Sequence, residues 1–142
     1  MRAVVLQSHQ DDAVGGLEIL QQPVPQPGRG EVLVKIEAAP CNPSDVLFLQ
    51  GRYAAKAELP TIPGREGAGR VVASGGGLLA GVLKNRRVAC GASGQGGGTW
   101  AQCFVAKAGE CIPLKRKLRI RQAASLIVNP LTAAGLLEQA RT

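Results

Sequence analysis

Glu31-Val32-Leu33-Val34-Lys35-Ile36-Glu37-Ala38 is the stretch that decides the fold class. Val32, Val34 and Ile36 fall on one side of an extended chain and Leu33, Lys35 and Glu37 on the other, the alternation of a strand with one buried face. The residues before it read the same way. Met1 to Leu6 is a strand, Gln10 to Gly16 a polar turn and Leu17 to Leu20 a second short strand. Pro23, Pro25 and Pro27 then alternate, and Pro27-Gly28-Arg29-Gly30 turns the chain into the quoted strand,.

After it, Pro43-Ser44-Asp45 opens a short helix, with Asp45 or Ser44 as its cap, Val46 to Leu49 as its buried side and Gly51 as its stop,. Ala54 to Pro63 reads as a loop, Gly67 to Ser74 as a strand and Gly75 to Gly77 as a turn. Arg87 to Cys90 is a strand, Gly91 to Gly98 a flexible loop, Thr99 to Val105 a strand and Cys111 to Leu114 a short one,. Gln122 to Val128 has helical composition, and Leu131 to Ala140 resumes it with Pro130 in the first turn and Asn129 as cap,. Many strands followed by a terminal helix pair make a mainly β fold.

Composition narrows the class. With 45% hydrophobic and 19% charged residues in 142, the chain is a globular domain with a core of ordinary size,. The net charge of +7 is concentrated at Lys84, Arg86 and Arg87 and again from Lys115 to Arg121. Phe48, Tyr53, Trp100 and Phe104 are the only rings, and none lies within the basic runs, which disfavours a nucleic-acid partner that needs base stacking,. No apolar run is long enough to span a bilayer. Cys41, Cys90, Cys103 and Cys111 have no paired spacing and read as reduced thiols,. The N-terminus reads as a strand rather than a targeting segment, so a cytoplasmic location is expected.

Five motifs occur in order along the chain. They are Cys41-Asn42-Pro43-Ser44-Asp45, Gln50-Gly51-Arg52-Tyr53, Pro63-Gly64-Arg65-Glu66-Gly67-Ala68-Gly69, Gly97-Gly98-Thr99-Trp100-Ala101 and Asn129-Pro130-Leu131-Thr132-Ala133. Together they resemble the N-terminal domain of the medium-chain dehydrogenase/reductase superfamily, of the quinone oxidoreductase and 2-enoyl thioester reductase type. The resemblance implies a GroES-like, partly open antiparallel β-barrel with short helices and a C-terminal connecting helix. It also implies an NADPH-dependent reduction of a quinone or an activated C=C, without zinc. On this reading residues 1–121 form the substrate domain and residues 122–142 lead to a dinucleotide-binding domain absent from this chain, which alone would be inactive.

Where zinc-using relatives carry a ligand His, this chain has Arg65, and its only His is His9. A guanidinium cannot ligate zinc, and Cys41 alone reads as a packed thiol. Without a Lewis acid, negative charge on the substrate must be met by hydrogen bonds and proton donation. Tyr53 is the candidate acid, since a phenol carries a proton at neutral pH; the competing reading is a ring in the core with its hydroxyl at the surface.

The resemblance places Asn42 beside the nicotinamide and Thr132 near its ribose. By themselves they could equally be a cap or turn residue and a plain helix residue. Trp100 reads either as a wall of the substrate pocket or as core. Asp45 reads as a structural acid and Glu66 as an ion-pair partner of Arg65. The Gly tracts lack the GxGxxG spacing of a dinucleotide loop,. A barrel lacking a neighbour would leave an edge or apolar patch open, which predicts association with itself or a partner. The readings that compete with an enzyme half are a non-catalytic GroES-like interaction module and a polyanion binder using Lys115 to Arg121.

Overall fold

In the computed structural model, which describes residues 1–54, 58–92 and 97–141, the quoted strand lies inside a five-stranded antiparallel sheet. It is β3 (Glu31–Ala38), following β1 (Arg2–Leu6) and β2 (Leu17–Gln21). After helix α1 (Pro43–Leu49) come β4 (Glu66–Ser74), helix α2 (Leu78–Leu83), β5 (Arg87–Gly91), β6 (Cys103–Lys107) and β7 (Cys111–Pro113). Helices α3 (Ile120–Ala123) and α4 (Val128–Gln139) end the chain. The sheet order is β6-β3-β4-β5-β7, while β1 and β2 form a separate hairpin.

The hairpin is stitched to the sheet side by backbone bonds. Val4 N–H donates to the Trp100 carbonyl at 2.9 Å, and Leu6 exchanges bonds with Thr61 at 2.7 and 3.1 Å. This curls the strands into a half-barrel of GroES type. One face of the sheet and α2 enclose the main core, in which Val32, Val34, Val71 and Val88 are fully buried beside Phe104, Ala80 and Leu83. Each such aliphatic residue contributes roughly 1.5–3 kcal/mol by leaving water. The other face is covered near Ala68 by Ala123 and Ala124. Leu6, Ala13 and Leu49 make a third cluster, on which Trp100 packs.

The first three strands and the first helix lie where alternation and capping put them. Four elements differ. The strand expected at Thr99 to Val105 runs from Cys103 to Lys107, because Thr99 and Trp100 are drawn away by bonds to the Gly64 and Pro63 carbonyls. Helix α2 was not legible: Leu78 to Leu83 has no polar face and carries Gly81. The stretch Gln122 to Val128 is helical only up to Ala123. Helix α4 starts at Val128, so Asn129 lies inside it rather than at its cap. The centre of the expected Gly91 to Gly98 loop (93–96), part of the Ala54 to Pro63 loop (55–57) and Thr142 lie outside the described residues.

Two glycines test the packing. A Cβ on Gly69 would lie 2.0 Å from the Lys35 carbonyl oxygen, whereas one on Gly81 would meet nothing within 4 Å. Gly69→Ala should therefore cost about 1–3 kcal/mol of unfolding free energy in urea. Gly81→Ala, inside α2, should raise it by about 0.5–1 kcal/mol.

Candidate functional site

Glu66 begins β4 only 1% exposed. A buried carboxylate persists only where donors replace its water, and three do. Oε1 accepts from Asn42 Nδ2 at 3.0 Å, and Oε2 accepts from the backbone N–H groups of Ile127 and Val128 at 2.9 and 3.0 Å. The acid thus caps the start of α4, where negative charge also meets the positive end of the helix dipole,. The expected Arg65–Glu66 ion pair is not formed. Instead the Arg65 guanidinium lies 5.1 Å from the centre of the Tyr53 ring, a cation–π contact,.

Asn42 is held from several sides. Its Oδ1 accepts from Asn129 Nδ2 at 3.2 Å, and its backbone N–H donates to Asp45 Oδ2 at 2.7 Å. Asn42, rather than Ser44 or Asp45, is therefore the N-cap of α1, and Asp45 reaches back from the first turn,. Asp45 is 1% exposed. Burial pushes its carboxyl above the usual range and Glu66 adds to this, while the Asn42 N–H and Arg65 pull the other way. Burial, followed by the charge of Asp45, also raises the thiol of the exposed Cys41.

The remaining candidates attach to this centre. Trp100 is half-buried, and its indole N–H donates to the Pro40 carbonyl at 3.0 Å. It lines a groove of about 460 Å³ with Ile19, Ile36, Pro40 and Cys41. Thr132 is exposed on α4, with its hydroxyl donating to the Val128 carbonyl at 2.7 Å. Half-buried Tyr53 meets Arg65, which lines a second groove of about 490 Å³ with Ile127, Val128 and Leu131. The Asn42–Asn129 bond ties α1 to the helix bearing Thr132, whereas Trp100 and Arg65 line different grooves.

Sequence reasoning missed Glu66 and Asn129 as parts of one network. A carboxylate heading the Gly-containing strand β4 was the available signal. Its α4 partners lie 61 and 62 residues away.

Residues 28–116 match the family model described as the alcohol dehydrogenase GroES-like domain. The chain belongs to this family. Bovine (Bos taurus) mitochondrial enoyl-[acyl-carrier-protein] reductase is 37% identical over 137 residues, which cover 96% of this GroES-like domain chain and 36% of the relative. Among solved structures, a candidate NADPH:quinone reductase from Mesorhizobium loti superposes with a TM-score of 0.88 at 35% identity, covering 99% of this chain and 44% of that one. The quinone oxidoreductase of Thermus thermophilus, also solved with NADPH, gives 0.81 at 30% identity and covers 100% and 42%. The GroES-like chain therefore spans roughly a third to under half of the length of these relatives.

Among the described residues no three His, Cys, Asp or Glu side chains gather as a metal-holding group, and no helix is long and apolar enough to cross a membrane. Arg65 is turned to the Tyr53 ring, and the His9 ring sits against the Leu49 carbonyl.

Two substitutions probe the GroES-like domain's polar centre. Glu66→Gln places an amide donor where acceptors are needed and should cost about 1–3 kcal/mol. It should also speed amide exchange at Ile127 and Val128. For Asp45 the raised folded value means that the folded state binds the proton more tightly than the unfolded chain. Its contribution is present below the ordinary carboxyl range and is lost as pH rises through the folded value. Asp45→Asn keeps an acceptor for the Asn42 N–H and cannot ionise. Urea unfolding from about pH 4 to about pH 7 should show wild type losing more stability than this variant.

Proposed function

We propose that this chain is the substrate-side half of an NADPH-dependent reductase that reduces a quinone or the C=C of an enoyl thioester without zinc. The observation that carries the reading is the buried Glu66–Asn42–Asn129 network, which fixes Asn42 against α4. Relatives named as enoyl reductases and quinone reductases support the reaction class. Residues 1–121 are the half-barrel, and residues 122–142 lead toward a dinucleotide-binding domain. Leu131, Leu136 and Leu137, each more than 60% exposed on a helix with no buried residue, support a further domain lying over α4.

Bound NADPH supplies the hydride. Asn42 orients the nicotinamide, with its amide locked by Glu66 and Asn129, and Thr132 contacts the ribose side. Trp100 forms an apolar wall for the substrate. Tyr53 donates its phenolic proton to the developing enolate or quinone oxygen, and Arg65 beside its ring favours that negative charge. The Arg65 stacking on Tyr53 supports a metal-free site, since it commits to an aromatic partner the position where a ligand would be needed.

The test is Tyr53→Phe in a complete polypeptide carrying this chain and a dinucleotide-binding domain. Loss of the proton donor should lower kcat by about 100-fold with KM little changed. The 142 residues alone should show no NADPH oxidation with a quinone or enoyl thioester; turnover by that chain would overturn the reading.

A further inference from the structure

Lys35, Arg70 and Arg87 stand directly opposite one another on β3, β4 and β5, so their side chains share one face of the sheet. It is the face turned away from the Val34, Val71 and Val88 core, beside the part that Ala123 and Ala124 cover near Ala68; Lys35 and Arg70 are exposed on it and Arg87 is half-buried,. Like charges placed directly opposite on neighbouring strands destabilise a sheet. Among the described residues the ion pairs are Arg52–Asp11 and Lys107–Glu110, and neither includes a member of this row.

Each arginine also holds a basic loop. Arg70 donates to the Asn85 carbonyl at 3.1 Å, which fixes the turn carrying Lys84 and Arg86. Arg87 donates to the carbonyls of Arg116 and Leu118 at 3.4 and 2.8 Å. Lys115, Arg116 and Lys117 are exposed on that loop, at the end of the row. These bonds bring the Lys84–Arg86 turn and the Lys115–Lys117 loop beside the row.

Three kinds of polyanion could meet such a surface, and the chemistry separates them. None of these strands and loops carries an aromatic ring, which a single-stranded nucleic acid would stack on. A membrane surface needs a broad set of apolar side chains beside the cations. Beside Arg70 on β4 only Val72 is exposed and apolar, whereas the larger exposed set of Leu78, Leu79 and Val82 belongs to α2, whose Ala80 and Leu83 pack on the opposite face of the sheet.

A helix fits by spacing. Adjacent strands lie ~4.8 Å apart and one helical turn rises ~5.4 Å. Three carboxylates one turn apart on a helix laid across the strands therefore meet the three cations nearly in register. We infer that this face docks a protein partner through an acidic helix with carboxylates at i, i+4 and i+7. This surface is independent of the reductase reading.

The probe is a labelled helical peptide with Glu at i, i+4 and i+7, compared at low ionic strength with a peptide of identical composition whose glutamates do not share a face. The helical peptide should bind at least about tenfold more tightly, with affinity falling as salt rises. Lys35→Glu sets a carboxylate opposite Arg70. It should raise the melting temperature while weakening the peptide about tenfold. If that variant does not fold by circular dichroism, Lys117→Glu on the exposed loop gives the same affinity readout. Equal binding of the two peptides, tighter binding of duplex DNA or phosphatidylserine vesicles, no binding of the helical peptide, or no loss with the folded variant would each overturn the inference.

Discussion

A carboxylate shut away from water is the constraint on which this domain turns. An ionised acid in the interior loses several kcal/mol of hydration unless hydrogen-bond donors replace it. Glu66 finds those donors in Asn42 and in the first backbone N–H groups of α4. None of the partners is local in sequence. Satisfying the one acid therefore joins β4, α1 and α4, and the chain folds so that all three meet.

The consequence for α4 is considerable. A 12-residue helix with no buried side chain gains little from packing, and isolated helices of that length are marginal in water. Its N-terminus is nevertheless fixed, because the Glu66 carboxylate accepts its leading N–H groups and Asn129 bonds back to Asn42. The helix is anchored at its start and bare along its sides.

Charge is treated in opposite ways on the two sides of the protein. Glu66 and Asp45 are interior acids provided with donors, whereas Lys35, Arg70 and Arg87 form an outer row of like charges in register. The first arrangement joins elements distant in sequence and makes the fold specific. The second works against the sheet, and high dielectric keeps that cost small. A sheet that accepts such repulsion has it offset when an anion arrives.

Much of the half-barrel was legible because strand alternation is a local signal. The face of Val32, Val34 and Ile36 could be read without knowing any partner, and the motif residues Asn42, Tyr53, Trp100 and Thr132 could be listed as candidates. Local signals failed where a distant group intervened. Helix α4 begins before Asn129, and Arg65 turns to Tyr53 instead of Glu66. Residue order alone was enough to set most of the strands, their faces and the chemical types available. How the polar groups are shared was settled by the folded arrangement, because hydrogen bonds to a buried acid depend on which donors reach it in space, and those donors lie as much as 62 residues along the chain.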